Sequence, residues 1–417
     1  MAKEKILIVE DNKALSKLII KKMQSSLDFD VVSAYTYEEA RALVEEDDDY
    51  FVALLDLNLP DAPDGEVVDM ILSHKIPSII LTGSMDKEVR EAILKKEVID
   101  YVFKGNIDDV NYIFALIERL HKNRGIKVLV VDDSIATRAH IKALLQQQMF
   151  TVLVAAHGEE ALAFLENNPD IKLILTDFNM PVINGVELTK EVRKRYSKNE
   201  LSIIAMTATN TELISAKFLK IGANDFINKP FTKEEIACRI HNSLDALEHI
   251  SKITYMAQHD FLTGAYNRRY FFEAMDAYKK TLQEKEEPFA LGLIDIDDFK
   301  AINDNLGHSV GDMVMVELVQ NIEKSLDNGD IVARFGGEEF CVLLKNKDHK
   351  KALEWFLKLK SKISSLSLRT KEGKNIGFSL SIGVVFSDVG ETNEMLKQAD
   401  FALRKAKQNG KNRVEIA

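Results

Sequence analysis

The segment KILIVEDN beginning at Lys5 returns as KVLVVDDS beginning at Lys127, and LLDLNLP around Asp56 returns as LTDFNMP around Asp177, at offsets of 122 and 121 residues. Later landmarks keep step: Thr82 matches Thr207 and Lys104 matches Lys229, both at 125. A spacing this regular means one unit written twice, so whatever fold the first copy takes the second must share. Short apolar runs at 6–9, 30–34, 51–55, 78–81 and 99–103 alternate with stretches of helical period such as 12–25 and 134–147. Strands alternating with helices predict an α/β fold, a doubly wound five-stranded parallel sheet in each copy. Ligand sites in such sheets lie at the carboxyl ends of the strands, where the repeated polar landmarks fall. HKNRG at 121–125 carries the break between the copies.

Helical period continues past copy two through Ile236, Ile240, Leu244, Leu247, Ile250 and Ile253, with no Pro or Gly to interrupt it. This is either a last helix with a frayed end or a stalk that pairs with its twin in a homodimer. The stalk is preferred, because the apolar run exceeds what a terminal helix needs. The expected division is therefore 1–121, 126–247, a helical linker at 248–258, and a third region at 259–417 that mixes strands and helices without the repeat.

Apolar residues make up 46% and charged residues 29%, which excludes a disordered polymer. With 66 acidic against 55 basic residues the net charge is −11, so DNA is not an expected partner. Cys238 and Cys341 lie far apart and form no disulfide framework. No apolar run approaches the ~18 residues of a membrane span, and the N-terminal MAKEKILIVEDN turns acidic too early for a signal peptide. A cytoplasmic location without membrane association is expected.

Each copy carries acids just after its first strand, Glu10 and Asp11 or Asp132 and Asp133, and another after its third, Asp56 or Asp177. Converging carboxylates repel one another unless a hard cation joins them, and Mg²⁺ suits an all-oxygen set. Thr82 with Lys104, and Thr207 with Lys229, complete a set able to hold the oxygens of a phosphoryl group on the central aspartate. One such aspartate alone would read as a helix cap; the whole set, twice, reads as a phosphate acceptor.

In the third region Asp295 ends an apolar strand and is followed by Asp297, Lys300, Asn303, Asp304, His308 and Asp312. Downstream, RFGGEEF (334–340) reads as a hairpin turning through Gly336 and Gly337. Asp295 and Glu338 on adjacent strands can share a pair of Mg²⁺ ions, with Mn²⁺ as the alternative, as phosphoryl or nucleotidyl transfer requires. The two glycines let backbone approach phosphates.

On these residues both copies resemble receiver domains of two-component response regulators, over about 3–245. That resemblance implies phosphorylation of Asp56 and Asp177 by a cognate histidine kinase or phosphotransfer protein. It also implies Mg²⁺ held by Asp11 or Asp133, the acceptor, and the carbonyl of Asn58 or Asn179. Tyr101 and Phe226 stand at the family's aromatic switch position. Copy one departs: Gly65 lies nine residues after Asp56 where copy two has Gly185 at eight, and Gly105 rather than a proline follows Lys104.

The region 259–417 resembles GGDEF-type diguanylate cyclases, through DFLTGAYNRR (260–269), GGEEF, SIGV (381–384) and ADFALRKAKQNGKN (399–412). The whole is a PleD-like architecture. It implies an α+β, palm-like domain that condenses two GTP to cyclic di-GMP and two pyrophosphates, as a dimer in which each domain holds one GTP. Asp295, Glu338 and the carbonyl of Ile296 would bind metal, with Glu338 and Asp295 catalytic. Asn303 and Asp312 would read guanine; Lys300, His308, Lys407 and Lys411 would lie at or near the phosphates, Lys411 where the family usually has arginine.

A non-catalytic nucleotide-binding signalling module and a phosphotransfer relay are the rival functions; the retained carboxylates favour catalysis. The acidic run at 45–49 is expected to be solvated, Trp355 to be core, and His259 not to be a ligand. The family's inhibitory product site, Arg-x-x-Asp, would place aspartate at Asp330 and arginine at position 327, which is Asp327. Little inhibition through that site is expected, with Lys324 as the nearest candidate cation.

Overall fold

The computed structural model describes residues 3–26, 29–83, 96–104, 107–208, 212–282, 287–370, 373–386 and 391–417. Two compact units divide the chain, Met1–Ile250 and Ser251–Ala417.

In the first unit each sequence copy forms its own five-stranded parallel sheet. Copy one contains β1 (Lys5–Val9), β2 (Asp30–Ala34), β3 (Val52–Asp56), β4 (Ser78–Thr82) and β5 (Asp100–Phe103) in the order β2-β1-β3-β4-β5. Copy two repeats it with β6 (Lys127–Val131), β7 (Thr151–Ala155), β8 (Ile171–Asp177), β9 (Ser202–Thr207) and β10 (Asp225–Asn228), ordered β7-β6-β8-β9-β10. Parallel strands in this order need crossover helices, which cover both faces of the sheet. In β1 the alternation is explicit. Ile6 and Ile8 pack with Ile19, Ile113 and Ile117, while Leu7 and Val9 pack with Ala40, Val44, Val67 and Ile71. The strand-by-strand reading of copy one matches this fold to within one residue at most ends.

The helix Ile107–Asn123 packs against copy two's terminal helix Lys233–Gln258 through polar contacts. Arg119, 6% exposed, donates to Asp245 at 2.9 Å and pairs with Glu248 at 2.6 Å. Asn123 donates to the Gln148 carbonyl at 2.8 Å, and the Gln148 amide reaches the Ile99 carbonyl at 3.1 Å. The helix Lys233–Gln258 is continuous over the stretch expected as a stalk; Ile236, Ile240, Leu244 and Leu247 are buried, whereas Ile253 and Met256 are exposed.

The second unit is a six-stranded mixed sheet. It is built from β11 (Tyr266–Asn267), β12 (Phe289–Ile296), β13 (Ile331–Gly336), β14 (Glu339–Lys345), β17 (Leu380–Phe386) and β18 (Val414–Ile416), ordered β11-β13-β14-β12-β17-β18. A small ribbon pairs β15 (Leu368–Arg369) with β16 (Asn375–Ile376). The central strands β13, β14, β12 and β17 run antiparallel to one another, the edge strands β11 and β18 pair in parallel with β13 and β17, and β12 pairs with β14 and β17 over seven positions each. Both sheet faces are buried, one around Ile294, Phe340, Val342 and Phe356, the other around Phe271, Leu291, Cys341 and Leu343. Gly383 permits a close backbone approach: a Cβ there would lie 2.1 Å from the Ala399 carbonyl oxygen and 2.3 Å from the Leu403 nitrogen, both on the helix Thr392–Gln408. Among the described residues no helix is long and apolar enough to cross a membrane.

Candidate functional site

In copy one the carboxyl ends of β1, β3 and β4 and the residue after β5 bring Glu10, Asp56, Thr82 and Lys104 together. Glu10, Asp56 and Thr82 are buried, at 1–3% exposure, and Asp11 is exposed. Oxygens of Glu10, Asp11 and Asp56 all lie within 4.8 Å of one another. Lys104 pairs with Asp56 at 2.5 Å and Glu10 at 3.0 Å, and the Asn58 backbone N–H donates to Asp56 at 3.1 Å. Burial raises the Glu10 carboxyl above its ordinary range, and the Asp56 charge adds to this while Lys104 opposes it. The all-oxygen trio fits a hard divalent cation.

Copy two repeats the frame. Lys229 bridges Asp132 at 2.6 Å and Asp177 at 2.5 Å, and the Asn179 N–H donates to Asp177 at 2.8 Å. Burial raises Asp177 despite the Lys229 hydrogen bond. For Lys229 burial acts downward, but the two carboxylates overcome it and the ammonium is held above its usual range. Asp133 is exposed and Thr207 buried; Tyr101 and Phe226, half-buried, follow Asp100 and Asp225 on the last strands. Gly185 opens the helix Gly185–Arg195 where a Cβ would sit 2.2 Å from the Asp177 carbonyl oxygen.

The longer loop of copy one has a definite structure. Leu59 and Ala62 bridge at 3.2 Å in both directions, and Asp61 accepts from the Tyr37 and Glu38 N–H groups at the start of the helix Tyr37–Glu46. The longer loop thus satisfies two first-turn N–H groups of a helix whose N-cap is Thr36, a contact its position in the sequence does not reveal.

In the second unit Asp295 closes β12 at 3% exposure, opposite Glu339 on β14 and beside the Gly336–Glu338 turn. Lys407 pairs with Asp295 at 2.7 Å. Burial raises the Asp295 carboxyl; Lys407 opposes this, and the charges of Glu338 and Glu339 add to it. Glu338 and Glu339 are near enough to act on the Asp295 charge, and the three offer the oxygen ligands that a hard divalent cation takes. Space around both turn glycines is open, and Gly337 has φ +48°. Arg334 holds the turn, donating to the Gly337 carbonyl at 3.0 and 2.8 Å and to Asp260 at 3.0 Å. That brace was missed from sequence, although Asp260 and Arg334 both stand in quoted motifs.

Lys300, His308 and Asp312 are exposed on the helices Phe299–Leu306 and His308–Glu323. Asn303 has a buried side-chain oxygen without a protein partner, against Gly311, where a Cβ would come within 2.0 Å of it. An orphaned acceptor costs stability unless a ligand satisfies it.

A cavity of about 760 Å³ lies elsewhere, lined by His259, Tyr266, Tyr270, Tyr278, Asp327 and Asp330. His259 stacks on Tyr255 at 3.9 Å and bonds the Gly264 carbonyl oxygen through Nδ1 at 2.6 Å. The cation that meets Asp327 and Asp330 is Lys347, at 2.9 and 2.6 Å, rather than Lys324. Lys347 arrives from just beyond the end of β14, a proximity that depends on the β13–β14 pairing. Trp355 donates to the Ser325 carbonyl at 2.8 Å and packs against the core.

The response regulator receiver domain family matches residues 6–114 and 128–241, and the diguanylate cyclase GGDEF domain family matches 257–413. Response regulator PleD of Caulobacter vibrioides is 26% identical across 98% of both chains. Diguanylate cyclase A of Treponema denticola is 35% identical over 57% of this chain and 64% of its own. A crystal structure of a two-component system response regulator/GGDEF domain protein, 43% identical, superposes with a TM-score of 0.55 over 59% of this chain and 100% of that one. With both receiver matches ahead of the GGDEF match, the chain belongs to the PleD-like response regulators, with two receiver domains and a GGDEF domain.

Proposed function

We propose that this response regulator is a diguanylate cyclase whose activity is set by phosphorylation of its receivers. The observation that carries the reading is the Asp295 cluster: a buried carboxylate raised by burial, paired with Lys407 and flanked by the glycine turn that bears Glu338. Asp295, Glu338 and the Ile296 carbonyl would hold Mg²⁺ or Mn²⁺, which when bound lowers the pKa of the attacking hydroxyl and neutralises phosphate charge. Asn303 and Asp312 orient GTP by its guanine edge, and Asn303 brings an acceptor that is already desolvated. Lys300, Lys407 and Lys411 balance the triphosphate, with His308 close to it, and the open turn at Gly336 and Gly337 lets backbone N–H groups approach. Glu338 accepts the proton as the 3′-oxygen of one GTP bonds to the α-phosphorus of the other and pyrophosphate leaves; the second bond forms the same way.

The half-sites face each other across a homodimer, and the exposed Ile253 and Met256 on the helix Lys233–Gln258 give that dimer an apolar seam. Asp56 and Asp177 accept phosphate from a histidine kinase or phosphotransfer protein. Asp11 or Asp133 and the Asn58 or Asn179 carbonyl complete each Mg²⁺ site, Lys104 or Lys229 and Thr82 or Thr207 meet the phosphoryl oxygens, and Tyr101 and Phe226 respond to them. Incubating the purified chain with GTP and Mg²⁺ should release cyclic di-GMP and pyrophosphate, read by chromatography. GTP bound without turnover would favour the non-catalytic module, and neither binding nor turnover the relay.

A further inference from the structure

The proposed chemistry leaves Asp297 without a task, although it is buried at 6% exposure two residues beyond Asp295. Its carboxylate accepts three hydrogen bonds from segments distant in sequence: Ser379 Oγ at 2.6 Å, Ser381 Oγ at 2.6 Å and the Asn412 backbone N–H at 3.0 Å. The Asp297 N–H in turn donates to the Ser379 carbonyl at 3.0 Å. The neighbours of Asp297 reach into the same C-terminal segment, Asp295 to Lys407 at 2.7 Å and Asp298 to Lys411 at 2.5 Å. That segment is backbone-strained. Gly410 has φ +106°, and Lys411 and Asn412 follow at +61° and +47°, consecutive non-glycine residues in the left-handed region. Such a conformation persists where the surroundings over-determine it. Lys411 is also bonded through its own N–H to the Ala406 carbonyl at 3.1 Å, so the turn is held from the helix side and from Asp297.

We infer that Asp297 is a positioning residue for substrate: by gripping Asn412 it holds the left-handed turn that sets Lys411, and with it the end of the helix bearing Lys407, beside Asp295 to receive the GTP triphosphate. The inference rests on the reading that Lys407 and Lys411 meet those phosphates. A carboxylate suits the post because all three partners donate. An amide in its place would lose the charge that strengthens all three bonds and would turn its N–H₂ group either toward Ser381 Oγ, whose hydroxyl must then reverse, or toward Ser379 Oγ and the Asn412 N–H, which cannot reverse.

The test is a double-mutant cycle in the full chain, Asp297→Asn against Lys411→Ala. It reads the affinity for a fluorescent GTP analogue with Mg²⁺, KM and kcat for GTP, and the thermal midpoint. Asp297→Asn should weaken nucleotide binding and raise KM about tenfold, the worth of a hydrogen bond to a charged group, with a smaller change in kcat. In the Lys411→Ala background the same substitution should cost no more than about twofold, because coupled residues are non-additive. Independent, multiplying penalties, or unchanged affinity in folded Asp297→Asn, would overturn the assignment. Should Asp297→Asn unfold, Ser379→Ala removes one donor and should raise KM with the midpoint preserved; no rise in KM would count against the assignment. A wild-type chain that binds GTP but makes no cyclic di-GMP refutes the cyclase reading alone, and the binding cycle still decides the role of Asp297.

Discussion

Glu338 and Asp295 divide the proposed chemistry because their surroundings differ. Asp295 is laddered into β12, buried and paired with Lys407, whereas Glu338 sits in the turn between β13 and β14, next to glycines with open space around them. Glu338→Gln is therefore expected to leave the thermal midpoint unchanged and to slow cyclic di-GMP formation by at least ~10²-fold, since it removes a metal ligand and a proton acceptor together. Near-wild-type turnover would sink the proposed site. At the far cavity the charge is reversed relative to a product-binding site: Asp327 and Asp330 are already taken by Lys347, whose ammonium is held above its usual range by both carboxylates against the effect of burial. Cyclic di-GMP titrated at saturating GTP should inhibit weakly and equally in wild type and Asp330→Ala; strong inhibition abolished by that substitution would show a working site.

Between elements, the contact of the helices Ile107–Asn123 and Lys233–Gln258 contains a pH-sensitive group. Burial, helped by the Arg119 charge and opposed by Asp245, lowers His241 from 6.5 to about 4, and its ring lies 6.4 Å from Phe150. The folded state keeps this imidazole neutral where the unfolded chain would protonate it. The unfolded state therefore binds more protons between pH 6.5 and 4, and stability must fall as pH falls through that window, by up to about 1.4 kcal/mol per pH unit. Above pH 6.5 the contribution is complete. His241→Phe should flatten the drop in the first unit's thermal midpoint between pH 6.5 and 4.5; an unaltered slope would assign the acid sensitivity to other groups.

For the molecule as a whole, two receivers of the same topology raise the question of which one answers to phosphate. Copy two keeps the shorter acceptor loop, with Asn184 forming a capping box at the helix Gly185–Arg195, while the longer loop of copy one ties Asp61 to the Tyr37 and Glu38 N–H groups. Asp177 is expected to accept phosphate at least as readily as Asp56. Beryllofluoride with Mg²⁺ should raise the cyclase rate or tighten the dimer in sedimentation, and Asp177→Asn should weaken that response. A full response in Asp177→Asn would assign control to copy one.

The repeat, the strand-end acids and the GGEEF turn were legible in the sequence because they depend on period and local chemistry: alternating apolar runs specify buried parallel strands, and Asp56, Thr82 and Lys104 must converge once those strands are parallel and adjacent. Asp295 and the glycine turn were legible for the same reason, as neighbours on antiparallel strands. The tertiary structure decided what long-range pairing alone creates. Arg119 meets Asp245 across 126 residues, Lys347 displaces Lys324 at Asp330, and Asp297 meets Asn412 across 115. No local pattern marks such partners, since a hydrogen bond between distant segments is specified by how sheets and helices pack and not by spacing along the chain.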